Sequence, residues 1–129
     1  MNTYETTLLV TKNHIDDLNH VNNVHYVQWV QDIAKAHWQS KTSLDFQTKF
    51  GWFLLSHFIE YKSAAFLNDT IHLKTYIAKA EGVTYTRIVE MYNASTNKLL
   101  AKSKTKWCFM NMKTERPSRI PQEIVDLFD

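Results

Sequence analysis

Cysteine occurs once in the 129 residues, at Cys108, so no internal disulfide can form. That count suits a reducing compartment, and a cytoplasmic setting is expected. Glycine and proline are equally scarce, two of each. A chain with so few turn formers predicts long regular elements joined by few tight loops. No apolar run approaches the roughly 18 residues of a membrane span. The opening MNTYETTLLVTK lacks a basic stretch followed by an apolar one, so no secretory signal is expected. The formal net charge, +2, is too small to point to nucleic acid or a membrane surface as partner. No repeat, low-complexity tract or linker divides the chain, and one domain over residues 1–129 is expected.

What is abundant is aromatic and apolar: 13% and 44% of the residues. Tyr4 to Thr11 is rich in Thr, Leu and Val and reads as a strand. After the polar stretch KNHIDDLNH, Asn22 or Asn23 is placed to cap a helix running to Lys41. In that helix Gln28, Gln31, Asp32, Lys35 and Gln39 recur on one face, a polar stripe only about a hundred degrees wide. Val24, Tyr26, Val27, Trp29, Val30, Ile33, Ala34 and Trp38 occupy most of the rest. Such a helix expects to be wrapped, and a curved sheet is the natural wrapper.

The remainder supplies that sheet. Phe53 to Phe66 alternates with the two-residue period of a strand. Asn68-Asp69 marks a turn, and the next strand alternates Ile71, Leu73, Thr75 and Ile77 against His72, Lys74 and Tyr76. Glu81-Gly82 and Asn93 to Asn97 mark two more turns, before strands over Val83–Tyr92 and Lys98–Met110. Three tight connections predict an antiparallel meander. QEIVDLF, after Pro121, predicts a short terminal helix. The fold class is α+β, one sheet around one helix.

Chemistry concentrates in the run NHIDDLNHVNNVH, before the long helix. A loop entering a helix N-terminus sets side chains beside free backbone N–H groups and the positive end of the helix dipole. That pairing stabilises an oxyanion while a carboxylate acts as base or nucleophile. The alternatives are plain ones. Asp16 or Asp17 can cap a turn, and Asn22 or Asn23 can cap the helix. His14, His20 and His25 are spaced six and five residues apart, which matches no zinc signature, so no metal is expected. Ser56 lacks a G-x-S-x-G context, and Cys108 sits inside a strand.

The segment DDLNHVNNVHYVQWVQDIAKAHW, Asp16 to Trp38, resembles the motif of the 4-hydroxybenzoyl-CoA thioesterase branch of the hotdog superfamily. In that motif an Asp precedes a His-Val-Asn-Asn run and then the central helix. Ile59-Glu60-Tyr61, Leu67 to Thr70 and Arg116 to Pro121 extend the resemblance, more weakly, over the chain. It implies a hotdog fold, a five-stranded antiparallel sheet around the helix of residues 22–41. It also implies hydrolysis of acyl-CoA thioesters without a cofactor, in a homodimer or dimer-of-dimers tetramer whose sites lie between subunits. Asp16 becomes the catalytic carboxylate, as nucleophile or as base toward water. The Asn23 backbone N–H becomes an oxyanion donor, and His20, Asn22 and Tyr26 line or orient the site. The family often carries an acid two positions before the catalytic Asp, where this chain has His14.

Lys102, Lys104 and Lys106 alternate with Ser103, Thr105 and Trp107 on the final strand. A solvated outer face accounts for the three lysines, and a docking surface for coenzyme A phosphates, which Lys62 and Lys74 join if the sheet order allows, is the sharper reading. A thioesterase acting on acyl-carrier protein and a non-catalytic acyl-binding protein are the rival functions.

Overall fold

The computed structural model describes residues 2–129. Strand β1 (Thr3–Leu9) is followed by a short 3-10 turn at Lys12–His14, then by helix α1 (Asn23–Lys41) and helix α2 (Leu44–Lys49). Strands β2 (Phe50–Tyr61), β3 (Thr70–Glu81), β4 (Thr84–Asn93) and β5 (Leu99–Asn111) come next. A two-residue strand β6 (Arg116–Pro117) and helix α3 (Gln122–Leu127) end the chain. The five long strands form one antiparallel sheet in the order β1-β3-β4-β5-β2, with β6 paired to the end of β5.

Helix α1 starts where its sequence says. Asn22 is the N-cap, and its side chain accepts a hydrogen bond from the Val24 N–H at 3.1 Å. Tyr26, Trp29, Val30, Ile33, Ala34 and Trp38 are buried under the curl of the sheet. Burying each large apolar side chain contributes about 1.5–3 kcal/mol. Val24 and Val27 are the exceptions: they are 67% and 38% exposed, so the wrapping stops short on that side.

Two further expectations are corrected. The Asn68-Asp69 turn does not make β2 and β3 neighbours, because β2 pairs with β5 along its whole length while β3 sits between β1 and β4. Only β3-β4-β5 is a meander. The second strand also ends at Tyr61, not Phe66: Lys62 and Ser63 both donate their N–H to the Leu100 carbonyl, at 2.8 and 3.1 Å, and the chain then leaves the sheet. The alternation past Tyr61 continued without a partner strand to read it. Helix α2, capped by the Ser43 hydroxyl accepting from the Phe46 N–H at 3.1 Å, was not foreseen.

The concave face of the sheet carries an unforeseen buried cation. Arg87 is completely buried, and its guanidinium donates to His37 Nδ1 at 2.9 Å, Thr75 Oγ1 at 3.0 Å and the Tyr85 hydroxyl at 3.2 Å. Each of these partners is uncharged. Accepting at Nδ1 fixes the proton of His37 on Nε2, which donates to Asn2 Oδ1 at 2.7 Å. Burial, then the Arg87 charge, then Lys41 push the His37 imidazole down to about 4. On β5 the alternation holds as read: Lys102, Lys104 and Lys106 are exposed on the convex face, while Ser103, Thr105 and Trp107 are buried on the concave one.

Candidate active site

The loop between β1 and α1 folds on its own backbone. An isolated antiparallel bridge joins Ile15 to Val21, the Asp16 N–H donates to the His20 carbonyl at 2.9 Å, and Asn19 takes the left-handed conformation with φ 62°. Asparagine tolerates that conformation better than most residues. The Asp16 carboxylate completes the turn, since Oδ1 accepts from the Leu18 N–H at 2.9 Å and the His20 N–H at 3.3 Å. This is the turn-capping role that the sequence allowed. It occupies one oxygen, and Oδ2 takes no hydrogen bond among the described residues.

A second segment pins the loop from outside. The Val21 N–H donates to the Ala65 carbonyl at 3.0 Å, and His20 bridges to Phe66, with the two rings edge-on at 5.3 Å. Residues 62–66 thus form a wall opposite the loop. Between them lies a cavity of about 350 Å³ lined by Asp16, Leu18, His20, Val21, Asn23, Tyr26, Tyr61, Lys62, Ser63 and Ala64.

The first turn of α1 distributes its orphan N–H groups unevenly. The Val24 N–H goes to the Asn22 side chain and the His25 N–H to the Asn22 carbonyl at 3.0 Å. The Asn23 N–H finds no acceptor among the described residues, and Asn23 lines the cavity. A carboxylate oxygen and a backbone donor are thus both unspent at the positive end of a 19-residue helix, and Asp16 and Asn23 both line this cavity.

Four of the expected site residues line that cavity: Asp16, His20, Asn23 and Tyr26. Asn22 does not, and acts on it through the cap. Tyr26 is buried, with its ring against Tyr61 at 5.4 Å and Trp29 at 5.5 Å. Burial raises its phenol pKa most, Tyr61 and Asp69 raise it further, and a hydrogen bond to the Ala65 backbone works the other way. Asp17 is exposed and outside the cavity. Lys102 and Lys104 stand on the convex face, also outside it. His14, at the position where the related motif often has an acid, packs its ring against His25 at 5.0 Å and Trp29 at 5.1 Å. Its Nδ1 accepts from the Thr11 N–H at 3.0 Å, and burial followed by His25 lowers its pKa.

Tyr61, Lys62 and Ser63 were missed as lining residues. They become a wall because β2 ends at Tyr61, and no local pattern in the sequence marks that end. A larger cavity, about 540 Å³, lies along the polar stripe of α1, where Gln28, Gln31, Asp32, Lys35 and Gln39 face Phe50, Trp52, Tyr85 and Trp107. It does not include Asp16, and size alone supplies no chemistry. Among the described residues no cluster of His, Cys, Asp and Glu is arranged to hold a metal ion, and no helix is long and apolar enough to cross a membrane.

The model of the thioesterase-like superfamily matches residues 10–128. The chain belongs to that superfamily. A sequence comparison with curated proteins found no match. Solved structures share the fold at low identity. A 1,4-dihydroxy-2-naphthoyl-CoA thioesterase from Synechocystis is 18% identical, with a TM-score of 0.85 over 98% of this chain and 96% of that one. A hypothetical protein from Staphylococcus aureus, in complex with CoA, is 19% identical, with a TM-score of 0.86 over 98% and 81%. A 4-hydroxybenzoyl-CoA thioesterase carrying an Asp-to-Asn substitution, complexed with 4-hydroxybenzoyl-CoA, is 11% identical, with a TM-score of 0.88 over 98% and 99%. The superfamily supports thioester hydrolysis as the chemistry, and the fold is the hotdog fold that the Asp16–Trp38 motif implied.

Proposed function

We propose that the protein hydrolyses acyl-CoA thioesters in the cavity at the start of α1. The observation that carries this reading is the joint presence there of the Asp16 carboxylate and the unspent Asn23 N–H. Two routes use these same groups. In one, Asp16 takes a proton from water as the resulting hydroxide adds to the thioester carbonyl carbon. In the other, the carboxylate itself adds, and water later cleaves the mixed anhydride. Either way the carbonyl oxygen becomes an oxyanion, which the Asn23 N–H and the helix dipole stabilise. Collapse of the tetrahedral species breaks the C–S bond and releases CoA as a thiolate. A thiolate is a good leaving group, so the site needs no strong acid.

His20 and Tyr26 shape the walls, and Asn22 fixes the helix start that aims the Asn23 N–H. Lys102 and Lys104 are assigned to attract the coenzyme phosphates over the convex face. The protein works as a homodimer, with dimers able to pair into tetramers. The support for a second copy is the exposed apolar surface beside the cavity, with Leu18 72%, Val24 67% and Tyr61 44% accessible, together with the free edge of β2. The single unpaired Cys108 fits a cytoplasmic setting.

The reading is tested by release of free CoA thiol from short-chain, long-chain and aromatic acyl-CoAs. Turnover of at least one class is expected. Inactivity across the whole panel overturns the proposal.

A further inference from the structure

Among the described residues Lys62 is the one lysine or arginine lining the Asp16 cavity. Its backbone is fixed, because its N–H and that of Ser63 both donate to the Leu100 carbonyl. Its side chain is held only lightly. The ammonium lies 3.3 Å from Glu60 Oε2, with the two side chains 47% and 51% exposed. Ion pairs as open as this contribute little. A phosphate presents more charge and more acceptor oxygens than one carboxylate, so it competes for the ammonium on favourable terms.

Glu60 has a second cation to turn to. In the β2–β5 register it stands directly opposite Lys102, which is itself 3.8 Å from Glu90. With its side chain 51% exposed, Glu60 is left in solvent rather than stranded when Lys62 is released. The same register places Lys102 and Lys104 on the strand beside Glu60 and Phe58, so a line of positive charge runs from the cavity rim onto the convex face. Lys102 and Lys104 already have a role toward the coenzyme phosphates, whereas Lys62 and Glu60 have none, and Lys62 at the rim suits a ligand whose thioester end enters the cavity while its phosphates remain outside.

We infer that Lys62 is a specificity-determining residue for the phosphate-bearing arm of the thioester, with Glu60 as the partner it leaves on binding. The inference rests on the acyl-CoA reading for its ligand. It is tested by calorimetric binding of CoA and of pantetheine, which shares the thiol arm but lacks phosphate, to wild type, Lys62→Ala and Lys62→Arg. The expected result is CoA binding weakened about tenfold in Lys62→Ala and largely restored in Lys62→Arg, with pantetheine affinity the same in all three. Raised salt should narrow the difference for CoA. The inference is overturned if Lys62→Ala binds CoA as wild type does, if it loses CoA and pantetheine equally, or if wild type does not bind CoA. A wild type that binds CoA through Lys62 yet hydrolyses no thioester sinks the catalytic proposal and leaves this one standing. Hydrolysis with CoA binding indifferent to Lys62 does the reverse.

Discussion

The two ends of α1 are built by opposite means. At its C-terminal half, side chains do the holding. Trp38 stacks on Phe128 at 5.9 Å and meets Trp52 edge-on at 5.6 Å, and His37 lies fully buried against Arg87. At its N-terminal end the main chain is held, by backbone partners and by the capping side chains of Asp16 and Asn22. The Asp16 loop is fixed by main-chain bonds to itself and to Ala65, and its polar side chains sit half in solvent. The first arrangement turns most of its polar groups on one another, although Arg87 Nε and Trp52 Nε1 are buried without a partner among the described residues. The second leaves a carboxylate oxygen and an N–H unspent. On the proposed function, stability and reactivity are separated along one helix, and substitutions at the two ends should fail in different assays.

The largest stability effect belongs at the buried end. Arg87→Ala removes a completely buried side chain and leaves His37 Nδ1, Thr75 and Tyr85 without their donor. Urea unfolding should show a loss of about 3–5 kcal/mol, while the protein that remains folded keeps its turnover. Loss of turnover without loss of stability would break the comparison. Acid acts on the same end. Because the folded pKa of His37 is about 4, below its ordinary value of 6.5, the unfolded chain binds the extra proton first. The contribution is complete above pH 6.5 and is lost as the pH falls toward 4, amounting to about 3 kcal/mol in all. Unfolding midpoints measured across that window should slope for wild type and flatten for His37→Gln.

The reactive end should give smaller stability changes. Asn22→Ala removes the cap of α1 and should cost about 1 kcal/mol by the same unfolding assay, together with a drop in kcat as the helix start frays around the Asn23 N–H. An unchanged kcat would mean that the cap does not aim that donor. Smallest of all, Lys102→Ala and Lys104→Ala change exposed side chains and should stay within about 0.5 kcal/mol of wild type. Their expected effect is a modest rise in KM for acyl-CoA that fades at high salt.

How much of this was legible depended on how local the signal was. The period of α1 and the alternation of Lys102 to Trp107 are carried by neighbouring residues, and both appear in the structure where the sequence put them. The placement of β2 beside β5 was not legible, since Phe50 pairs with Asn111 across some sixty intervening residues. Pairings that distant have no local signature. The Arg87–His37 contact was hidden for the same reason, the two partners being fifty positions apart in the chain. Asp16 is an intermediate case. Its surroundings in sequence fit a turn cap equally well, and the structure shows that its Oδ1 does cap the turn. What singled it out was the Asp-to-Asn-Asn motif, and what supports its role is the cavity that it shares with the Asn23 N–H.

The most direct test is Asp16→Asn, assayed for release of CoA thiol and, in parallel, for its unfolding midpoint. Asparagine keeps an acceptor for the Leu18 and His20 N–H groups, so the loop should hold. The kcat/KM should fall about a hundredfold or more, equivalent to about 2.7 kcal/mol of transition-state stabilisation, with the midpoint close to that of wild type. A variant that turns over as fast as wild type would contradict the central claim that Asp16 is the catalytic carboxylate.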